Sequence, residues 1–253
     1  MLDRQTLETL ASERDVDALG ISNDILPDSV IALLGFQRTK QISKQAREAW
    51  MAGNRAPLVA EVVERRGAIF NGALLEVFRE HIPLRRYLAE RKIRPKSIVD
   101  IGCGQALPTL FLLRDHSPKL TLVDIEHTDE QYHSWARSGS GYSSLAHARD
   151  LLVHNGADPR EVETLNPQRN PNDMAKVSGD LVTSFYSCGF HYPVDDYIDL
   201  MVQTIGGGGS VCLDLRKRYL RRRPAPLDRL LSAGRMVTLY EDPRSYRVVV
   251  TGL

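Results

Sequence analysis

The chain has almost no surplus of either charge: 33 basic residues stand against 32 acidic ones among 253. That balance excludes a global pull toward nucleic acid or anionic lipid and leaves room only for a local patch. Cysteine is scarce. Cys103, Cys188 and Cys212 are odd in number, widely spaced, and form neither a CxxC pair nor a metal-ligand pattern. Each lies in or beside an apolar run, so small buried thiols in a reducing compartment are expected. No run reaches the roughly 18 apolar residues of a membrane span. Met1-Leu2-Asp3-Arg4 opens a charged stretch without the apolar core of a secretory leader. The sequence therefore predicts a cytoplasmic protein. With 42% hydrophobic and 26% charged residues, composition argues against disorder, and the length suits one α/β domain plus an appendage.

The first 95 residues read as helical. From Ala56 to Leu88, apolar residues recur at Leu58, Val59, Val62, Val63, Ile69, Phe70, Leu74, Leu75, Val77 and Phe78, intervals that predict one buried stripe. Pro83 should start or kink a further helix. Pro27-Asp28 suits the start of a helix through Val30, Ile31 and Leu34. No strand is expected before Pro95. After it the texture changes to strands alternating with helices: Ser97–Ile101, Leu120–Asp124, a weaker run over 161–165, Asp180–Phe185 and Ser210–Leu215. Such alternation predicts a parallel sheet covered on both faces. Two last runs, Met236–Tyr240 and Tyr246–Thr251, leave no room for a crossover helix and must pair antiparallel. The expected domain boundary falls between residues 95 and 96.

The chemistry concentrates in Val99-Asp100-Ile101-Gly102-Cys103-Gly104-Gln105-Ala106, where the first long strand ends. Gly102 and Gly104 permit a tight turn and a close ligand approach that a Cβ would obstruct. Asp100 can accept hydrogen bonds at that turn. Asp124 ends the next strand, where an acid is placed to accept two ribose hydroxyls. A dinucleotide reading needs a third glycine, and its position holds Leu107.

In these features the sequence resembles the class I S-adenosylmethionine-dependent methyltransferases. The Asp-x-Gly-x-Gly turn, the acid after the second strand and the closing hairpin carry the resemblance. Gly179-Asp180-Leu181-Val182-Thr183-Ser184 is similar to the fourth-strand motif, and Ile205-Gly206-Gly207-Gly208-Gly209-Ser210-Val211 to the turn into strand five. The likeness covers roughly residues 96 to 253. It implies a Rossmann-like, mostly parallel seven-stranded sheet with an antiparallel terminal pair, here preceded by a helical cap. It also implies S-adenosylmethionine bound over Asp100, Gly102, Cys103, Gly104, Asp124, Ile125, Ser184 and Phe185. Gly102 and Gly104 would line the methionine portion, Asp124 the ribose, and Ser184 or Phe185 the floor near the sulfonium. Two departures stand out. Ala106 replaces a frequent third glycine, and Asn166-Pro167 replaces the acid or amide pattern often near the adenine.

The segment Tyr186-Ser187-Cys188-Gly189-Phe190-His191-Tyr192-Pro193 sits where this fold places its acceptor. His191 is a candidate base, with Asp195 or Asp196 to orient it, or else a packing residue beside aromatic neighbours. Tyr186 and Tyr192 shape an acceptor pocket or fill core. Ser184-Phe185-Tyr186-Ser187 lacks the Pro-Pro-aromatic turn of amine- and amide-directed enzymes. Adjacent Asp195 and Asp196 point apart, so a metal-dependent mechanism is not expected. The basic run Lys217–Arg223 reads as a solvated face before it reads as a phosphate contact. The long stretch from Glu126 to Tyr142, with His127, His133 and Trp135, could fold over the ligands. The expectation is an enzyme methylating a small-molecule acceptor, at a hydroxyl oxygen. Its alternatives are an RNA- or protein-directed methyltransferase and a binding protein that keeps the fold without turnover.

Overall fold

The computed structural model describes residues 2–126 and 144–252. In chain order, the elements begin with β1 (Leu2–Asp3), α1 (Arg4–Thr9), α2 (Glu13–Asp17), α3 (Asp28–Gln37), α4 (Lys44–Met51) and the long α5 (Ala56–Glu90). The alternating half then runs β2 (Ser97–Ile101), α6 (Leu107–His116), β3 (Lys119–Val123), α7 (Leu145–His154), β4 (Val162–Leu165) and β5 (Leu181–Ser184). It closes with α8 (Ile198–Gly206), β6 (Ser210–Arg216), α9 (Lys217–Arg222), α10 (Ala225–Ser232), β7 (Arg235–Glu241) and β8 (Ser245–Thr251).

All strands join one sheet in the order β1-β7-β8-β6-β5-β2-β3-β4. Its pairs are parallel except that β8 runs antiparallel to both β6 and β7. The terminal pair is antiparallel as its short connection demands, and β8 wedges between β6 and β7. The Rossmann-like, mostly parallel sheet is thus present, with one correction. The two-residue β1 adds an eighth strand against Tyr240 and Glu241, where no strand was expected. Two residues carry no periodicity, so local pattern could not announce it.

β2 lies at the centre, with β3 on one flank and β5 on the other, and successive crossovers therefore leave it in opposite directions. The carboxyl ends of β2 and β5 border the crevice where open α/β sheets receive ligands. The central strands are covered on both faces: β5 and nearly all of β6 are buried. Val182, Val211, Leu213 and Val248 face the core under α8 and α10, while Ile98, Cys212 and Val249 face the core that Leu84 and Leu88 of α5 enter.

The N-terminal helices differ from the sequence expectation in where α5 bends. Pro83 lies inside a continuous helix, and the break in backbone geometry falls at Arg65 (φ −126°, ψ 19°). The buried stripe also narrows: Val59 and Val63 are exposed, while Leu58 and Val62 are fully buried. Periodicity could not see this, because α4 and α3 cover one flank of α5 only. The helices share a continuous core with the sheet layer, in which Ile31, Ile69, Phe70 and Phe78 meet Leu107, Phe111 and Leu151. Polar ties reinforce the join. Asn155 accepts from Ser22 N (2.9 Å) and donates to Ser22 O (2.9 Å), and Gln105 Nε2 donates to Val30 O (3.1 Å). Residues 127–143 lie outside the description, and so does the stretch expected to fold over the ligands, Glu126 excepted.

Candidate active site

The turn after β2 is built by backbone approach. Gly102 has φ +67°, and a Cβ there would stand 1.8 Å from Ser187 Oγ, so no side chain fits. Gly102 N donates to Val123 O (2.7 Å), which folds the turn across the end of β3. Ala106 follows with φ +55° and no exposed surface. The methyl that replaces a frequent glycine therefore sits in left-handed backbone and is accommodated by packing, against a strain of about 1 kcal/mol.

The two acids of the motif have different surroundings. Asp100 is buried, and both its oxygens receive hydroxyls: Thr183 Oγ1 donates to Oδ1 at 2.9 Å and Thr109 Oγ1 donates to Oδ2. It ties β2 to β5 and α6. Asp124 receives backbone amides instead, Gly104 N on Oδ2 and Glu126 N on Oδ1, each at 2.9 Å. Burial pushes each carboxyl up to about 6, against these donors. Beside Asp124, Asn166 donates to Ile125 O (3.1 Å) and to Glu126 Oε2 (3.0 Å). The amide that departs from the resemblance thus braces the loop after β3.

A cleft of about 1120 Å³ opens over these ends. Asp100, Gly102, Cys103, Gly104, Asp124, Ile125, Phe185, Tyr186, His191 and Tyr192 all line it, so the structure brings nearly every residue singled out from sequence to one place. Ser184 is apart from them. It is fully buried, its Oγ donating to Ile101 O (2.8 Å) and accepting from Cys188 N (2.9 Å). The three cysteines are free and buried, and burial pushes their thiols upward.

On the far wall, Tyr186 has φ +49°, and its N–H donates to Asp214 Oδ2 (3.1 Å). His191 stands edge-on to Phe190 with ring centres 4.9 Å apart, and Phe190 is edge-on to Tyr186 at 5.0 Å. Tyr192 is buried with its hydroxyl 3.1 Å from Ser187 Oγ, and burial pushes its phenol upward. Asp195 and Asp196 are exposed where a short 3-10 turn begins. Asp196 reaches the cleft wall and Asp195 does not. The basic run forms α9, with Lys217 paired to Glu241 (2.5 Å), Arg223 paired to Asp228 (2.5 Å), and Arg218, Arg221 and Arg222 exposed to solvent.

Sequence reasoning missed the strongest electrostatic feature of the cleft. Arg247 grips Asp214 through two parallel bonds, Nε to Oδ1 (2.8 Å) and Nη2 to Oδ2 (2.6 Å), and both side chains are 2% exposed. Its Nη1 donates to Glu80 O, and its guanidinium lies 4.3 Å from the centre of the Phe185 ring. Burial works against the arginine charge, and the Asp214 carboxylate overrides it and holds the guanidinium above its ordinary range. The available signal was one charge inside each of two apolar strands, Val-Cys-Leu-Asp-Leu and Tyr-Arg-Val-Val-Val.

No family model and no curated protein matches the chain. Solved structures do. The chain is similar to the ribosomal protein L11 methylase from Lactobacillus delbrueckii subsp. bulgaricus, at 13% identity over 71% of this chain and 80% of that one, with a TM-score of 0.45. It is similar to the N-methyltransferase NodS from Bradyrhizobium japonicum, in complex with S-adenosyl-L-homocysteine, at 14% over 69% and 86%, TM-score 0.46. A third is the T. thermophilus 16S rRNA N2 G1207 methyltransferase, in complex with AdoMet and guanosine, at 15% over 71% and 43%, TM-score 0.45. The fold assignment rests on strand order and direction. The sheet is a Rossmann-like, mostly parallel seven-stranded sheet with an antiparallel terminal pair, extended by β1.

The Asp214–Arg247 pair generates a stability prediction. Asp214→Ala leaves a buried guanidinium without its counter-charge and should cost about 3–5 kcal/mol in urea unfolding. Asp214→Leu combined with Arg247→Met should recover most of that loss. A single variant within about 1 kcal/mol of the parent would show that the pair is not the wedge's anchor.

Proposed function

We propose that this chain is an S-adenosylmethionine-dependent methyltransferase acting on a small-molecule acceptor, at a hydroxyl oxygen. The carrying observation is Asp124, a buried carboxylate at the end of β3 that faces the cleft and is aligned by the amides of Gly104 and Glu126. Two oxygens so oriented suit the paired hydroxyls of a ribose. The Gly102–Gly104 backbone, which no Cβ obstructs, would lie along the methionine portion, and Ile125 with Pro167 would flank the adenine. S-adenosylmethionine, when bound, supplies an electrophilic methyl on a sulfonium. Phe185 would close the floor beside it, while Ser184, buried beneath, would support that floor.

A hydroxyl acceptor must shed its proton as its oxygen attacks. His191, on the wall next to Tyr186 and Tyr192, would take it on its imidazole. The N-terminal helices contribute Leu34, Glu76 and Glu80 to the same cleft, which supports their role as a cap that encloses a small acceptor. Solvation and pairing of α9 support this reading over an RNA-directed one.

Calorimetric titration tests the core of this reading. S-adenosylhomocysteine should bind with one site per chain, and NADH should not. The opposite preference would discard the proposal. Asp124→Ala should remove about 1.5–3 kcal/mol of that affinity in a folded protein. The pH dependence follows from the carboxyl near 6. A raised acid favours the unliganded fold below its unfolded value near 3.8, and that contribution is lost as pH rises through about 6. Ribose needs the ionised form, so affinity should rise about tenfold between pH 5 and 7.5. Asp124→Asn should flatten this step; a step that survives the substitution belongs to another group.

For His191→Ala, the rate should fall about 10²–10⁴-fold with cofactor affinity little changed. The pH–rate profile should lose one ionisation. A lower thermal midpoint with a rate within a few fold per folded molecule would instead make His191 structural. Deleting residues 1–50 should abolish acceptor turnover before it abolishes S-adenosylhomocysteine binding. Normal turnover by the truncated chain would remove the cap from the reading.

A further inference from the structure

Most charges around the cleft have partners. Arg38 is held by Glu80 (2.7 Å), Arg247 by Asp214 (2.6 Å), and Arg79 donates to Ala11 O (2.7 Å). Asp242 accepts from Arg244 N (2.6 Å), Ser245 N (2.8 Å) and Ser245 Oγ (2.6 Å), and Glu241 takes Lys217 (2.5 Å). Arg47 of α4 lines the cleft without an ion pair among the described residues and is exposed to solvent, and two further arginines are likewise unpaired. Arg216 ends β6, and Arg244 lies in the turn between β7 and β8; both line the cleft. Among the described residues neither guanidinium has a carboxylate within 4.0 Å. Arg216 Nε is buried and finds no acceptor among them.

The backbone fixes where Arg216 starts. Its N–H donates to Gly189 O (3.1 Å), and its guanidinium lies over Phe190, 4.8 Å from the ring centre, next to His191. Arg244 O accepts from Lys217 N (2.9 Å), which ties the hairpin turn to the residue that follows Arg216. Burial lowers the Arg216 guanidinium, and the like charge of Arg244 lowers it further. A half-buried cation beside a second cation, with an unused Nε–H, is an unfavourable arrangement that an oxyanion relieves. Arginine's planar fork also matches carboxylate, sulfate and phosphate oxygens geometrically.

We propose that Arg216 and Arg244 form an oxyanion subsite at the acceptor end of the cleft, so that the methyl acceptor is a small molecule bearing a carboxylate, sulfate or phosphate group. The subsite rests on the methyltransferase reading for its role. The anionic group docks on the two guanidinia, Phe190 and Tyr186 flank the body of the molecule, and the reacting hydroxyl lies toward His191.

The test uses the full chain loaded with S-adenosylhomocysteine and inorganic phosphate, sulfate or acetate as probes, with chloride at matched ionic strength as control. Calorimetry and thermal midpoints should show saturable binding of at least one oxyanion, one site per chain. Arg216→Gln and Arg244→Gln should each weaken it at least tenfold, and S-adenosylhomocysteine affinity should stay within twofold. Which probe binds tightest identifies the anionic group. No saturable binding, or equal binding by the Arg216→Gln, Arg244→Gln double variant, overturns the subsite. A short single-stranded RNA that binds in an arginine-dependent manner and displaces phosphate overturns the small-molecule acceptor in favour of a nucleic acid. S-adenosylhomocysteine binding is read separately on each sample. Its absence from the parent retires the methyltransferase role, while arginine-dependent phosphate binding there still supports an oxyanion site.

Discussion

The right-hand half of the molecule depends on one buried ion pair. Register places Asp214 of β6 directly opposite Arg247 of β8, on the face that α5 covers. From there Arg247 reaches the carbonyl of Glu80, and Asp214 receives the amide of Tyr186. Four segments, β6, β8, α5 and the loop after β5, therefore converge on two side chains. Desolvating both charges costs several kcal/mol per ion before relaxation is counted, and only the forked geometry with its extra backbone partners offsets this. In return the register is fixed. A slip of β6 by one residue would turn Asp214 toward the apolar core under α8 and α10 and leave Arg247 without it on the other face. The antiparallel wedge thus holds the cleft wall at Tyr186 in one position.

The same pair explains two backbone irregularities. Pro83 provides no N–H for the Arg79 carbonyl, and its ring displaces the preceding turn. Arg247 donates to the adjacent carbonyl of Glu80, so this turn of α5 is also hydrogen-bonded from the sheet. Tyr186 occupies left-handed backbone, which is unfavourable for a bulky residue. Its amide bond to Asp214 and the guanidinium 5.7 Å from its ring keep it there. The left-hand half relies instead on small residues and hydroxyls: Gly102 makes way for Ser187, and Thr109 and Thr183 satisfy Asp100.

Which of these features the sequence displays follows from their range. The strands over 97–101, 181–184 and 210–215 are continuous apolar runs, and the Asp-x-Gly-x-Gly turn and Asp124 lie within one βαβ unit, so local pattern reveals them. Asp214 and Arg247 are 33 positions apart and become partners only through the antiparallel return of β8. Burial of α5 depends on which helices lie against it, so Val59 and Val63 matched the helical period and still face solvent. Ser184 was placed correctly at the end of β5. Its hydroxyl bonds inward to Ile101 O, and a motif does not specify side-chain direction.

In the proposed reading the cleft carries unlike charges where its two ligands would meet. Asp100 and Asp124 belong to the proposed cofactor side, with the charge of Asp124 contributing to the raised carboxyl of Asp100. Arg216 and Arg244, which line the same cleft, form its proposed acceptor side. In the proposed reaction the sulfonium loses its positive charge as the methyl leaves. An acidic floor stabilises the charged ground state more than the transition state, so by itself it favours loading and opposes transfer. Rate must then come from alignment of the acceptor oxygen and removal of its proton. The aromatic ring of Phe190 fits that division: it seats the Arg216 guanidinium 4.8 Å from its centre and meets His191 edge-on at 4.9 Å. In the proposed reaction, anchoring the acceptor and deprotonating it would be coupled through a single ring, and the charge neutralised at sulfur would be matched by the proton arriving at imidazole.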